Sequence, residues 1–403
     1  MKWLLFAWKN VLRNRRRSLT AVLITAVGTA AVLVGGGFAL FTYEALRELT
    51  ARENGHVILA ARDYFEGDED VPMQHGLAGA TRLAEELRAL PGVRGVLPRA
   101  QLSGLISNGD KSAVFVGMGV VPDEEFRLRG WQIHLVAGET VAAGAAVPEI
   151  ALGADLARIM KASPGSSLTL LATTTEGNLN AVDAMVRGVV TVGVPEIDKR
   201  LVLADLGTVQ KLLLTDKVST LSVYLSRTED TDAFAARVRA AHPELAVRTW
   251  LDMAFFYKAA RALYNRIFGM LGIIMLVIVL FALSNTLGMA VVERTREIGT
   301  LRAIGTLPGE IVRNFVLEGI AIAGAGVLVG MLLAGGVTVT LAFAGLQMPP
   351  PPGRSEGYPL LVNFSAWLYA GTGLAVIVVS AAAAYVVSGK AARRPITEAL
   401  AHV

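Results

Sequence analysis

Four stretches of this 403-residue chain run without a single charged side chain for 26 residues or more: 18–43, 267–292, 319–353 and 357–389. A helix needs about 20 mostly apolar residues to cross a hydrocarbon layer about 30 Å thick, so each stretch is long enough. Lipid offers backbone N–H and C=O groups no partner, which leaves the helix as the spanning conformation. The third stretch must stop near Leu346, because residues 349–352 are consecutive prolines that cannot continue a helix. Spans are therefore predicted at 18–43, 267–292, 319–346 and 362–388. Composition agrees: only 18% of residues are charged, against about 25% in soluble chains. The chain has no Cys, which excludes disulfides and thiolate chemistry. The first stretch follows a basic start, as a secretory signal does, but it outruns the roughly 7 to 15 apolar residues of a signal core. It is expected to be a retained anchor.

Lysine and arginine mark the cytoplasmic side of short loops and tails. Residues 1–17 hold six basic and no acidic residues, and the segments 293–318 and 389–403 bring the charge of these three regions to +8. The long segment 44–266 carries −4, and the short loop 347–361 is neutral. Four crossings then place both termini and 293–318 in the cytoplasm, with 44–266 and 347–361 outside. The expected fold is an α-helical membrane protein with four transmembrane helices and a large mixed α/β extracytoplasmic domain inserted between helices 1 and 2.

Residues 1–17 mix Trp3, Leu4, Leu5, Phe6 and Trp8 with their cations, a composition suited to an amphipathic helix lying in the headgroup layer or to a plain basic flank. Within 44–266, strand-like runs at 55–60, 113–117, 167–172 and 218–225 alternate with helical runs at 80–90 and 231–241. The ends of this domain are informative. Met253, Tyr257, Ala260 and Tyr264 recur at helical spacing and in phase with the second span, as Leu46 and Leu49 do with the first. This phase predicts membrane helices that continue outward as a paired stalk. The competing reading is a pair of amphipathic helices packed on the outer domain.

Catalytic signatures are absent. No phosphate loop occurs; the nearest approach, 104–111, has Asp110 where the lysine is needed. There is no HExxH or GxSxG, and His56, His75, His134, His242 and His402 lack ligand spacing. No catalytic, cofactor-binding, metal or nucleic-acid site is assigned. Gly35, Gly36 and Gly37 in the first span and Gly324, Gly326 and Gly330 in the third lie inside apolar helices, where small residues permit close helix packing.

Residues 293–305, ERTREIGTLRAIG, follow the second span. Gly299 and Gly305 supply points where a helix can break, and Ile298, Leu301 and Ile304 recur every three residues as a small apolar face. Such a helix docks into a partner or rests on lipid, and the pattern alone does not choose between them.

This segment, placed after the second of four spans, resembles the signature of FtsX-like and MacB-like (type VII) ABC transporter permeases, a family that includes the lipoprotein-releasing permeases. The helix order, the large outer domain, the basic N-terminal segment and the tail 391–400, AARRPITEAL, are similar too. The outer segments 54–59, NGHVIL, and 64–66, YFE, look closest to lipoprotein-releasing members. The resemblance implies a permease of the bacterial inner membrane without its own ATPase site, with ATP and Mg held by a separate ATPase dimer. It implies a coupling helix carrying Glu297, Ile298, Leu301, Arg302, Ala303, Ile304 and Gly305. It also implies a second copy or related permease, and a lipoprotein, lipid or other amphiphile as substrate, with a periplasmic adaptor as a further partner. The family's mechanotransmission would move the stalk residues Leu46, Leu49, Met253, Tyr257 and Ala260. Gly35, Gly36, Phe38, Tyr264 and Phe268 would line a lateral entrance between helix one and helix two of the neighbouring protomer. The alternative implied by the FtsX branch is signalling to a cell-wall hydrolase without transport.

Overall fold

The computed structural model describes residues 15–67, 71–129, 133–349 and 357–393. Residues 1–14 of the interfacial segment expected at 1–17, residues 350–356 of the proline loop and the tail beyond 393 lie outside these residues. The chain divides into two units, one of residues 1–44, 259–347 and 359–403 and the other of 45–258 and 348–358.

In chain order the elements are α1 (Arg15–Asn54), β1 (Val57–Ala61), α2 (Ala80–Arg88), β2 (Val93–Ser107), β3 (Ser112–Val120), α3 (Pro122–Arg129), β4 (His134–Gly138), β5 (Glu149–Gly153) and α4 (Ala154–Met160). Then come β6 (Ser167–Thr173), β7 (Leu179–Thr191), α5 (Pro195–Asp198), β8 (Leu201–Asp205), α6 (Leu206–Leu213), β9 (Thr220–Leu225), α7 (Thr231–Ala241) and β10 (Leu245–Thr249). The chain continues through α8 (Trp250–Met253), α9 (Phe255–Glu293), α10 (Thr295–Ala303), α11 (Pro308–Ala344) and α12 (Ala366–Ala392).

In the membrane unit, α1, α9, α11 and α12 each contain a window long and apolar enough to cross a bilayer. A small core takes Ala21 from α1, Val279 from α9, Ile322 and Val327 from α11, and Val376 from α12. Glycine makes that core possible. A Cβ at Gly326 would sit 2.6 Å from the Thr25 Cβ, and one at Gly330 would sit 2.7 Å from the Ala26 carbonyl oxygen, so α11 lies directly on α1. Gly326 and Gly330 are therefore packing residues, whereas a Cβ at Gly324 would meet nothing within 4 Å.

The second unit is built on β2, whose 15 residues serve two cores. Its first half joins the antiparallel sheet β10-β1-β9-β2. Here Val57, Leu59, Val96, Leu221 and Val223 meet Ala84 and Leu87 of α2 and Phe234 and Val238 of α7. Its second half pairs with both β3 and β6, and the pairings β3-β8, β8-β5, β5-β7 and β7-β6 close six strands into a ring. Strand alternation sends Ile106, Phe115, Ile150, Leu152, Leu168, Leu170 and Val202 into one interior. β4 is added to β7 outside the ring.

Candidate functional site

The segment singled out for docking forms an elbow. α9 ends at Glu293, and Arg294 leaves helical geometry at φ −104°, ψ 13° before α10 begins. The buried Thr295 hydroxyl lies 2.8 Å from the Val292 carbonyl and 3.1 Å from that of Val291, closing the exposed end of α9. The break thus falls at Arg294. Gly299, expected as a breaking point, lies buried inside α10. At the other end the expectation for Gly305 matches the geometry: at φ +101° it occupies the left-handed region. The Thr306 N–H donates to the Leu301 carbonyl (3.0 Å) and the Gly305 N–H to that of Arg302 (3.1 Å), a Schellman ending.

Ile298, Leu301 and Ile304 do not share one face. Ile298 is buried with Val291, Ile311, Phe315 and Ala392, whereas Leu301 is 43% exposed and Ile304 75% exposed. The physical reason lies in α11, which brings Ile311 and Phe315 against α10 and takes Ile298 as its third apolar contact. Leu307, beyond the Gly305 turn and at the N-cap of α11, is 67% exposed as well. Glu297 and Ala303 are exposed and Arg302 is half-buried.

Within the membrane unit the expected entrance residues form an aromatic ladder between α1 and α9 of one chain. Phe38 meets Phe268 edge-on at 6.2 Å, Phe268 stacks on Tyr264 at 6.1 Å, and Tyr264 lies 6.4 Å from Tyr43. The Tyr43 hydroxyl donates to Asn265 Oδ1 (2.6 Å). Gly35 faces this ladder: a Cβ there would sit 3.8 Å from Phe268 and from Leu271. Gly36 does not: its open side is filled by Leu368 of α12.

In the second unit, Leu46 packs on a cluster of Ala51, Trp250, Ala254 and Tyr257, with Trp250 and Tyr257 edge to face at 5.3 Å. Leu49 is half-buried. Met253 is not part of the long helix expected there. Thr249 and Asp252 cap the single turn α8, the chain breaks at Ala254, and α9 starts at Phe255, leaving Met253 44% exposed. Ala260, in the membrane unit, is half-buried on α9.

A polar joint at the end of α1 was not expected from the sequence. The final helical carbonyls need donors. Tyr224 Oη donates to the Arg52 carbonyl (2.9 Å), and Arg99 Nη1 to that of Glu53 (3.2 Å). Arg99 also forms a two-pronged pair with Glu125 of α3 (2.8 and 3.3 Å), which accepts from Arg129 as well (3.0 Å). Burial works against the charged Glu125, yet the two guanidiniums outweigh it and hold its carboxyl below the ordinary value. Burial pushes the Tyr224 hydroxyl up, keeping it a donor. Beside them, His56 Nδ1 accepts from the Leu225 N–H (3.1 Å), so Nε2 carries the proton and donates to Thr228 Oγ1 (3.1 Å). Burial lowers the His56 pKa to about 4. Arg47 pairs with Glu229. β9, Thr-Leu-Ser-Val-Tyr-Leu, alternates as a strand with one solvent face does, yet both of its faces are buried over its full length.

Among the described residues no cluster of His, Cys, Asp and Glu could hold a metal ion.

Two families match the chain: the MacB-like periplasmic core domain over residues 18–241 and the FtsX-like permease C-terminal over residues 269–396. The lipoprotein-releasing system transmembrane protein LolC of Neisseria meningitidis serogroup B is 27% identical over 267 residues, which are 62% of this chain and 64% of that protein. LolC of Xylella fastidiosa is 25% identical over 257 residues, 62% of this chain and 61% of the relative. The chain thus spans less than two thirds of the length of these relatives. The macrolide export ATP-binding/permease protein MacB of Chlorobaculum tepidum is 42% identical over 62 residues, 15% of this chain and 10% of that one. The FtsX-like match covers the elbow and the three later membrane helices, and the MacB-like match covers α1 and most of the second unit. The chain therefore belongs to the family of FtsX-like permeases that carry a MacB-like periplasmic core domain.

Proposed function

We propose that this chain is the permease subunit of an ABC transporter of the bacterial inner membrane, with its second unit on the outer side. ATP hydrolysis takes place on a separate subunit, which seats α10 and passes its closure to the outer side as movement of α1 and α9. The substrate is a lipoprotein, a lipid or another amphiphile. The observation that carries this reading is the division of labour on the elbow. Ile298 buries one side of α10 against α11, while Leu301 on α10, Ile304 at its C-cap and Leu307 just beyond the Gly305 stop leave exposed apolar side chains. An exposed apolar row with one buried face behind it is suited to entering a groove as a rigid unit. The continuity of α1 over 40 residues supports the transmission step, because a helix with every backbone bond made internally passes displacement along its axis.

The test is co-purification of the chain with its ATP-binding subunit from membranes. Leu301→Asp and Ile304→Asp place a charge where a dry contact is required and are expected to remove the subunit while leaving the permease monodisperse. Retention of the subunit at parental stoichiometry in both variants, with unchanged ATPase activity, overturns the docking role. Lipid or lipoprotein in the purified complex supports transport, and a cell-wall hydrolase in its place favours signalling.

A further inference from the structure

The elbow contains an ion pair that the apolar docking row does not use. Arg294, in the break between α9 and α10, reaches Glu318 of α11 with Nη1 to Oε2 at 3.3 Å, and its Nε lies 3.9 Å from Glu297 of α10. Both members of the Arg294–Glu318 pair are largely shielded, with side chains 13% and 10% exposed. Glu318 shares a stripe of α11 with Ile311 and Phe315, at intervals of four and three residues, so the carboxylate continues the surface that receives Ile298. Next to it, Gly319 has its open side against Ala384 of α12 and Leu287 of α9.

We propose that Arg294 is a positioning residue that ties the docking helix to the third membrane helix through Glu318. The inference deepens the reading of α10 as the docking element and rests on it. The apolar contact of Ile298 can slide and rotate, because dispersion is not directional. A guanidinium held by one carboxylate on α11 and lying beside another on α10 fixes orientation as well as distance. The Arg294 backbone forms the break itself, so displacing α10 swings this side chain and draws on Glu318. The third membrane helix then moves with the elbow, and the strain is not spent in bending the joint.

The test uses the full chain alone in lipid nanodiscs, with nitroxide labels at Ala303→Cys on α10 and Leu328→Cys on α11 and double electron–electron resonance as the readout. The chain has no native cysteine, so the labels report only these two positions. The parent is expected to give one narrow distance distribution. Glu318→Gln is expected to widen it at least twofold, and the reversed pair, Arg294→Glu with Glu318→Arg, to narrow it again. Arg294→Lys keeps the charge but loses the fork, and it supplies an intermediate width if the stronger variants fail to fold. An unchanged width in Glu318→Gln and Arg294→Lys overturns the tie, as does a reversed pair as broad as the single variants. No ATPase is present, so failure here removes the tie and leaves docking standing, whereas failed docking shows only in co-purification.

Discussion

Arg99 and Glu125 meet at 2.8 Å with both residues shut away from solvent, and the same guanidinium holds the Glu53 carbonyl near the end of α1. One buried ion pair is thus also the fastening of a 40-residue helix. Removing the carboxylate leaves two guanidiniums buried around a neutral group. Glu125→Gln is expected to cost about 3–5 kcal/mol, read as a lower denaturation midpoint for the second unit. A midpoint within experimental error of the parent would show that the pair is not what holds the helix end.

Acid acts on the same region through two groups, and both signs agree. His56 is held at about 4 against an ordinary 6.5, so below pH 6.5 the unfolded chain takes up a proton that the folded chain refuses. Stability falls across that window, by about 3 kcal/mol when complete. Glu125 is held below its ordinary 4.5; its contribution is intact above that value and disappears as pH drops through the folded pKa. His56→Asn keeps an acceptor for the Leu225 N–H and is expected to flatten the pH dependence of unfolding between 6.5 and 4. A slope equal to the parent's across that interval would assign the effect to other groups.

The two faces of α10 separate stability from docking. Ile298→Ala empties a buried site and is expected to cost about 2–4 kcal/mol, whereas Ile304→Ala, on the exposed row, stays within about 0.5 kcal/mol. Thermal unfolding of the two variants in nanodiscs checks the difference. Equal losses would mean that the elbow packs differently.

Two glycines only two residues apart on α11 give opposite predictions. Gly326→Ala meets Thr25 at 2.6 Å, while a Cβ at Gly324 meets nothing within 4 Å. Gly326→Ala is expected to lower the unfolding temperature of the membrane unit, and Gly324→Ala to leave it unchanged or raise it slightly, since alanine favours the helix by up to about 1 kcal/mol. Loss of stability in both, or in neither, would contradict the close approach of α11 to α1.

The spans were legible because lipid imposes a long uncharged run, and strands such as β6 were legible because Leu168, Leu170 and Ala172 alternate cleanly inward. The docking segment was legible in its limits and not in its orientation. Spacing placed Ile298 with Leu301 and Ile304, but only the position of α11 decides which of them is covered. Met253 was misassigned because its spacing continues the stripe, while the capping of α8 by Thr249 and Asp252 interrupts the backbone. The joint at Arg99 was invisible because Thr220, Ser222 and Tyr224 look like a solvent face. They are buried, and Arg99 and Glu125 lie beside them, more than ninety positions earlier in the chain.

β2 belongs to the open sheet with its first half and to the closed ring with its second. Since side chains alternate along a strand, a slip of the whole strand by one residue would turn the inward residues of both cores outward at once. Neither core can be assembled as an independent module and joined to the other afterwards. Evolution can replace or enlarge one of them only by preserving the phase of this single strand, which makes β2 the datum from which the whole second unit is measured.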